Sequence, residues 1–316
     1  LLSDSDTTSL ADLKHKLEET AASITLRENG GILDSATIIE KIINEPAVQK
    51  IVATPWAIVD EYIDGLYSED LIVIGARQFV GKTTALVNII NHTAINRIPT
   101  AMFSLELSDI DIMNRMVAIR SGISLPHIVT QSMIEEEEEV YHDTLNEIKN
   151  EPLFISNQPT ITVPEIRSFL KKHPEIRVVG IDHIQLWANT SNSVSQRVVE
   201  IGNLVRQSKA LAREFGVSVI LLSQINRSFA DEASRRPQPH QLEGAGAIEQ
   251  TADIILLLHR EIIYDFNADP NKILFIVSKN RRTGIIGDIE LEFIKDSTQI
   301  TQKENINKGR ENGSSL

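Results

Sequence analysis

A short loop that ends in Gly81-Lys82-Thr83 separates an aliphatic run from a helical segment, and this junction constrains the fold more than any other feature. Residues 71–75 are apolar throughout, and helical periodicity begins near Thr83. Gly81-Lys82-Thr83 is typical of a loop that cradles phosphates with backbone N–H groups at a helix N-terminus. The strand–loop–helix order predicts an α/β fold. The predicted phosphate-binding residues are Gly75, Ala76, Arg77, Gln78, Phe79, Val80, Gly81, Lys82, Thr83 and Thr84.

The side chains that follow Gly81 have distinct expected tasks at a bound nucleoside triphosphate such as ATP. We expect Lys82 to reach the β- and γ-phosphates and the Thr83 hydroxyl to coordinate Mg²⁺. Gly81 allows the backbone to approach the phosphates closely. One residue departs from the general pattern, because Ala76 stands at the position of the leading glycine.

Aliphatic runs alternate with helical stretches through most of the chain. The runs are apolar on both faces, as in central parallel strands covered by helices. They lie at residues 71–75, 100–105, 178–181, 217–222 and 254–258, with helical stretches at 83–96, 109–121 and 196–215. The pattern predicts a doubly wound, mostly parallel sheet with helices on both faces. Residues 273–278 and 288–294 are separated only by a turn and predict a terminal antiparallel pair.

Polar side chains end three further strands of the predicted sheet. Because carboxyl ends of parallel strands meet where such folds bind ligands, these side chains are expected near the phosphate loop. Asp182 is predicted to be the second metal-side residue, acting with Thr83. Glu106 is the candidate base that activates the attacking water, and Gln224 is the candidate sensor of the γ-phosphate.

Composition and patterning suggest three regions. Residues 1–50 are predicted to form a helical accessory segment, with one helix through Leu10 and Ala21 and a second through Ile38 and Ile43 that Pro46 ends. Residues 51–300 are predicted to form the large α/β domain and residues 301–316 a disordered tail. The chain contains no cysteine, which excludes disulfides and thiolate metal sites and fits a reducing cytoplasm. No apolar run predicts a membrane span. The net charge of −13 at pH 7 argues against a cationic surface that coats nucleic acid.

Five segments, in order, resemble the motifs of DnaB-type replicative DNA helicases, a family of RecA-like hexameric helicases. The segment from Asp70 to Thr83 resembles their Walker A motif, in which alanine is common at the position of Ala76. Residues 103–108, 181–186, 222–228 and 247–253 resemble their catalytic-glutamate, Walker B, sensor and post-loop segments. His183 stands where tyrosine is usual. The resemblance covers about residues 52–295 and implies the C-terminal, RecA-like motor domain.

The resemblance implies a homo-oligomeric ring, usually of six subunits, with ATP at each interface. A cation from the neighbouring subunit then stabilises charge on the γ-phosphate. Lys279 and Arg281 match the family's Lys-x-Arg pattern and are the candidates for this action in trans. The turn that follows is one residue longer than usual, so Arg282 is an alternative to Arg281.

The resemblance also implies contact with single-stranded DNA through two channel loops, roughly residues 188–197 and 231–247. Where the family often has Arg-Glu-Ser-Gly, this chain has Glu243-Gly244-Ala245-Gly246, so an acid replaces the arginine. Backbone amides of a glycine-rich loop still suit phosphates. The candidate DNA-binding residues are Arg197, Arg235, Arg236, Glu243, Gly244 and Gly246.

Further partners and the cellular setting follow only from the resemblance. One of the two predicted helices before Pro55, with residues 35–44 favoured, would be a linker helix that packs on the adjacent motor domain. Primase and a helicase loader would be partners, and the setting would be the bacterial cytoplasm, with a phage or plasmid as the source. Two other functions stay open: a RecA-like ATPase that acts on protein, and a helicase-derived scaffold or loading partner that binds nucleotide without turnover.

Overall fold

The computed structural model describes residues 34–44, 48–156, 158, 160–187, 194–226 and 236–302. The chain divides into two units, with the boundary between Ala47 and Val48. Several predictions fall outside the described residues: the helix through Leu10 and Ala21, residues 188–193 of the first channel loop, residues 231–235 of the second, which include Arg235, and the tail beyond residue 302.

The described part of the first unit is one helix, α1 (Ser35–Asn44). It matches the predicted helix at residues 35–44. Its isoleucines recur at helical spacing, and Ile42 and Ile43 are 73% and 74% exposed. An isolated helix of 10 residues is marginal in water, so this apolar face needs a partner surface for stability.

The second unit alternates strands and helices as the sequence predicts. The strands are β1 (Lys50–Val52), β2 (Leu66–Tyr67), β3 (Leu71–Ala76), β4 (Thr100–Ser104), β5 (Leu153–Ser156), β6 (Val178–Asp182), β7 (Ser218–Gln224), β8 (Ile254–His259), β9 (Lys272–Asn280), β10 (Gly287–Ile294) and β11 (Gln299–Thr301). The helices are α2 (Ala57–Ile63), α3 (Lys82–Ile95), α4 (Asp109–Ser121), α5 (Leu125–Thr130), α6 (Glu135–Ile148), α7 (Val163–Lys172), α8 (Ile184–Trp187), α9 (Val194–Phe215) and α10 (Ala245–Thr251). Within the described ranges, no helix has the length and apolarity that crossing a bilayer requires.

Nine strands of the described chain form one mixed sheet in the order β11-β10-β9-β8-β3-β7-β6-β4-β5. The six strands from β8 to β5 run parallel, and β9, β10 and β11 continue the sheet antiparallel. The predicted mostly parallel sheet and its terminal antiparallel pair are therefore confirmed. β1 and β2 pair separately as a small antiparallel ribbon.

The two faces of the sheet bury separate halves of the core. Successive residues of a strand point to opposite faces. Ile72 and Ile74 of β3 pack in the cluster that contains α3, whereas Leu71 and Val73 pack in the cluster that contains α9. Burying such a side chain contributes about 1.5–3 kcal/mol. The central runs are apolar on both faces because helices cover both.

The structure differs from the sequence prediction at several elements. β5, β11 and the ribbon of β1 and β2 were not predicted, and β4 ends at Ser104 rather than at residue 105. β5 has half-buried residues throughout and lies at the sheet edge, so its pattern lacks the apolar run of a central strand. β11 extends to Thr301 and pairs with β10, one residue into the predicted tail.

Two segments predicted as channel loops are partly regular structure. α9 begins at Val194, two residues before the predicted helical stretch 196–215, so Arg197, which was also predicted to end the first loop, lies on the helix. α10 begins at Ala245, with Gly244 as its N-cap residue, so Gly246 is helical as well. Ile248, buried in the core, fixes α10 against the sheet and so orders the end of the second loop.

Candidate nucleotide site and channel loops

Four strand ends bring the predicted nucleotide-site residues to one edge of the sheet. Ala76 at the end of β3 is in register with Gln224 at the end of β7. Ser104 at the end of β4 is in register with Asp182 at the end of β6. Glu106 follows Ser104 by two residues. Because these strands are parallel, all four ends lie on the side of the sheet where such folds bind ligands.

The predicted phosphate loop joins β3 to the first turn of α3. Gly81 has a φ of 116°, a conformation that favours glycine, and it turns the backbone into the helix. Phe79 is 81% exposed, whereas Val80 is buried in the core. The loop is therefore anchored through Val80 while its tip faces solvent.

Not all ten predicted loop residues offer a side chain to a ligand. Gly75 and Ala76 belong to β3, and the backbone carbonyl of Ala76 accepts a hydrogen bond from the N–H of Ile225 at 3.1 Å. The Thr84 side chain is buried. The positions that can present side chains to phosphate are thus concentrated at Arg77, Lys82 and Thr83, with backbone N–H groups between them.

Thr83 and Asp182 form the metal-side pair that the sequence predicts. The Thr83 hydroxyl donates to Asp182 Oδ2 at 2.8 Å across the edge of the sheet. Asp182 is fully buried, and its other oxygen, Oδ1, has no hydrogen-bond partner within the described chain. The Thr83 hydroxyl and the adjacent Asp182 Oδ2 form a pair of oxygen donors that suits Mg²⁺.

The Lys82 ammonium group sits in a protected position beside these acids. Burial lowers the pKa of Lys82, and the carboxylates of Asp182 and Glu106 partly offset the effect. Its Nζ contacts the Arg77 carbonyl oxygen at 3.5 Å. A partly buried ammonium group favours an anionic ligand at this place.

Glu106 lies on the solvent side of Asp182 and contacts a histidine. The Glu106 carboxylate is about half exposed, and its Oε2 is 3.2 Å from His183 Nδ1. His183 itself is 8% exposed. The sequence identified Glu106 but assigned no role to His183, although the histidine directly follows Asp182.

Gln185 is a further buried polar residue that the sequence analysis did not assign. Its Nε2 donates to Ser223 Oγ at 3.1 Å, and its Oε1 accepts from the Gln224 backbone N–H at 3.0 Å. Gln185 therefore fixes the end of β7. The Gln224 side chain, with Arg77 and Tyr264, borders a cavity of about 170 Å³ beside the phosphate loop.

The two candidate trans-acting cations contact the C-terminal carbonyl groups of α10. Lys279 Nζ donates to the Glu249 carbonyl and, at 2.6 Å, to the Ala252 carbonyl. Arg281 donates to the Gln250 carbonyl. Burial lowers the pKa of Lys279, and the nearby Arg281 adds to the effect. In this arrangement both cations complete the end of a helix, where positive charge is favoured.

Arg282 has a different environment from Arg281. Its guanidinium group donates to both carboxylate oxygens of Asp70, at 2.8 and 2.9 Å, and lies 3.6 Å from the centre of the Tyr67 ring. The Arg281 side chain is 48% exposed, against 27% for Arg282. Arg282 is held within its own domain, and Arg281 has more freedom to reach another molecule.

The described DNA candidates are paired with acids. Arg197 Nε is 2.7 Å from Glu243 Oε1, so the helix α9 and the second loop are joined by an ion pair. Arg236 pairs with Asp288 of β10. Gly244 has a φ of 82°, and a Cβ there would lie 2.4 Å from Ile201 Cγ2. The structure thus brings Arg197, Glu243 and Gly244 together and leaves Arg236 on a separate contact.

Comparison with known proteins agrees with this geometry. A family model described as DnaB-like helicase C terminal domain matches residues 52–302. The chain belongs to this family. The match confirms the predicted resemblance to DnaB-type helicases. Its limits lie close to the span of residues 52–295 that the sequence motifs predicted.

Similar DnaB-like proteins are longer than this chain. It is 28% identical to Replicative DNA helicase DnaC of Bacillus subtilis over 305 residues, covering 93% of this chain and 67% of that protein. It is 30% identical to Replicative DNA helicase DnaB of Geobacillus stearothermophilus, covering 84% and 60%. For the DnaB of Buchnera aphidicola subsp. Schizaphis graminum the identity is 34%, with 83% and 58% covered. The chain therefore spans only about 58–67% of the length of these relatives.

Two solved structures share the DnaB-like fold. One, described as an ATPase domain, superposes with a TM-score of 0.73 at 27% identity, covering 85% of this chain and 97% of that one. A DnaB-like replicative helicase, described with its interactions with primase, gives the same score and identity over 87% and 67%. The predicted RecA-like architecture is thereby confirmed.

Proposed function

We propose that this chain is the motor of a replicative DNA helicase. It hydrolyses ATP or another nucleoside triphosphate at the interfaces of a homo-oligomeric, six-membered ring and uses the energy to move along single-stranded DNA and unwind duplex. The observation that supports this most directly is the Thr83–Asp182 hydrogen bond of 2.8 Å beside the partly buried Lys82, in a DnaB-like domain.

Each side chain of the nucleotide site has a defined task in this proposal. Lys82 binds the β- and γ-phosphates, and Gln224 at the end of β7 contacts the γ-phosphate. Thr83 and Asp182 would hold Mg²⁺, which supplies neutralisation of phosphate charge. Glu106 is exposed enough to orient the attacking water and accept its proton.

A neighbouring subunit supplies positive charge to the γ-phosphate. Lys279 and Arg281 would exchange the α10 carbonyl groups for phosphate oxygens across the interface. We favour Arg281 over Arg282 as the finger, because Arg282 is held by both oxygens of Asp70.

DNA contact is proposed for the two loops and the adjoining helix ends. Arg197 would exchange Glu243 for a DNA phosphate, and Arg235 and Arg236 would add positive charge. The backbone around Gly244 and Gly246 would approach the strand closely. Because phosphate contacts carry most of the affinity for DNA, binding should weaken strongly with salt.

The remaining partners follow from family membership. We propose α1 as the linker helix that covers its exposed isoleucines on an adjacent motor domain. Primase is proposed as a partner because a similar solved structure is described with its interactions with primase. A helicase loader, a cytoplasmic setting in bacteria and a phage or plasmid origin complete the proposal.

One observation favours the alternative functions. Arg197 and Arg236 are both neutralised by acids in this structure, which leaves the two loops without free positive charge from these two residues. A RecA-like ATPase that acts on protein would need no such charge, and neither would a nucleotide-binding scaffold or loading partner.

The deciding experiment measures steady-state nucleotide hydrolysis by the full chain, with and without a single-stranded oligonucleotide, at low and moderate salt. We expect stimulation by DNA that weakens as salt rises, with Lys82→Ala as the inactive control. Hydrolysis that ignores DNA would favour a protein-directed ATPase. Nucleotide binding without turnover would favour the scaffold.

A further inference from the structure

Three potential metal ligands converge beside the proposed nucleotide site. The nearest ligand atoms of Glu106, Asp182 and His183 all lie within 4.8 Å of one another. His183 Nδ1 is 3.2 Å from Glu106 Oε2 and 3.6 Å from Asp182 Oδ1. Among the described residues, this is the one group with three such ligands.

The two oxygens of Asp182 face different groups. Oδ2 accepts the Thr83 hydroxyl at 2.8 Å, on the side of the proposed Mg²⁺–nucleotide site. Oδ1 lies on the His183 side and makes no hydrogen bond within the described chain, and the same holds for His183 Nδ1. Asp182 is 0% exposed. A buried carboxylate oxygen and a buried imidazole nitrogen without hydrogen bonds are costly unless a ligand satisfies them.

We propose that Glu106 Oε2, Asp182 Oδ1 and His183 Nδ1 bind a transition-metal ion of the zinc class, at a site separate from the Mg²⁺–nucleotide site. Ligand atoms about 2.1 Å from such an ion stand roughly 3.0–3.5 Å apart. The observed 3.2 Å fits and the 3.6 Å contact is close, and the Glu106–Asp182 pair, whose ligand atoms lie within 4.8 Å of each other, would draw together around the ion. An imidazole ligand favours zinc, cobalt or nickel over Mg²⁺.

Histidine–carboxylate proximity alone does not distinguish this place. His173 Nδ1 is 3.1 Å from Glu175 Oε1, and His127 Nδ1 is 3.1 Å from Glu137 Oε2. Neither pair belongs to a three-ligand group in the described part of the chain. The proposed site differs from these two pairs because the buried Asp182 Oδ1, which has no hydrogen bond within the described chain, provides a third donor.

An ion at this site would occupy the Glu106 carboxylate. Zinc would then block hydrolysis while nucleotide still binds at Lys82 and Thr83. This consequence, unlike metal binding itself, rests on the proposed function. The test therefore measures binding without nucleotide and hydrolysis separately.

The experiment titrates the full, nucleotide-free chain with Co²⁺ in excess Mg²⁺ and follows visible absorption. We expect one Co²⁺ per chain, displaced by Zn²⁺. His183→Phe keeps a ring of similar shape and should weaken Co²⁺ binding at least about tenfold, as should Glu106→Gln. His173→Phe is the matched control and should leave the affinity unchanged. Retained binding of a fluorescent nucleotide shows that the His183→Phe chain is folded.

Several outcomes would overturn the site. These are a Co²⁺ affinity that His183→Phe leaves unchanged, a loss of binding in Thr83→Ala as large as in His183→Phe, and no stoichiometric binding at all. The second result would mean that the ion occupies the Mg²⁺–nucleotide site. Hydrolysis that persists with zinc bound would instead contradict the role of Glu106 and leave the metal site intact.

Discussion

Glu106 is half exposed at the edge of the sheet that carries the proposed nucleotide site, whereas Asp182 is fully buried. Replacement of Glu106 by glutamine keeps its size and removes its ability to accept a proton. We expect hydrolysis to fall by about 10²–10⁴-fold, the usual contribution of a general base. Nucleotide affinity, measured by fluorescent nucleotide titration, should change little. Turnover near the wild-type rate would remove Glu106 from this role.

The lowered pKa of Lys82 predicts that nucleotide binding is coupled to the uptake of protons. Burial lowers the pKa of Lys82. Below that lowered pKa the charged side chain reduces the free energy of unfolding, and this cost falls as pH rises through the pKa and the group loses its proton. Bound phosphates restore the charged form. Between the lowered pKa and the ordinary lysine value of about 10.4, nucleotide binding should therefore take up protons.

Calorimetry in buffers of different ionisation enthalpy measures this uptake. Lys82→Arg is the control, because a guanidinium group does not titrate in this range. Proton uptake that is the same in both proteins would assign the linkage to another group.

Alanine substitution should lower stability at Arg282 and abolish hydrolysis at Arg281. Arg282→Ala leaves the buried Asp70 carboxylate without its guanidinium partner and should lower the free energy of unfolding by about 1–3 kcal/mol. Arg281→Ala should change stability by less than about 1 kcal/mol, since its side chain is largely exposed, but should abolish hydrolysis. Denaturant unfolding and hydrolysis rates together test the pair. A stable but inactive Arg282→Ala protein would make Arg282 the finger.

For single residues, the sequence predicts those that occupy a position in a motif. Lys82, Thr83, Asp182 and Glu106 could be predicted because strand ends in a parallel sheet meet at one edge. The environments of His183, Gln185 and Arg282 could not, because each depends on a contact with a distant segment.

At the scale of elements, α10 offers a matched pair of glycines. Gly244 has a φ of 82°, and a Cβ there would meet Ile201 at 2.4 Å, whereas a Cβ on the helical Gly246 meets nothing within 4 Å. Gly244→Ala should destabilise the protein by more than about 1 kcal/mol. Gly246→Ala should stabilise it by about 0.5–1 kcal/mol. Thermal unfolding of both variants measures this difference, and equal effects would contradict the described start of α10.

The central strands could be predicted and the marginal ones could not. β3, β7 and β8 are apolar on both faces, so composition alone indicates strands covered by helices. β5 lies at an edge with half-buried residues, and β2 has two residues, so neither carries a periodic pattern. The start of α9 was predicted to within two residues, at 196 instead of 194, and Ser193 and Gln196 have the sequence spacing of a capping box.

At the scale of the whole molecule, the proposed ring predicts complementation between subunits. Lys82→Ala removes the nucleotide contact within one subunit, and Arg281→Ala removes the charge donated to its neighbour. Mixtures of the two inactive proteins contain interfaces with both groups intact. We expect hydrolysis to reappear and to peak near equal proportions. Inactivity at every mixing ratio would argue against action in trans.

The position of α10 has a mechanical consequence. The helix has 7 residues and is thus roughly 10 Å long, with Gly244 at one end and the carbonyl contacts of Lys279 and Arg281 at the other. The two ends are therefore separated by about two helical turns, and the buried Ile248 side chain holds the helix against the core between them. In the proposed ring, phosphate oxygens of a neighbouring subunit would compete with the α10 carbonyl groups for these two cations, so nucleotide binding and the proposed DNA-contacting end of α10 would be linked through one helix.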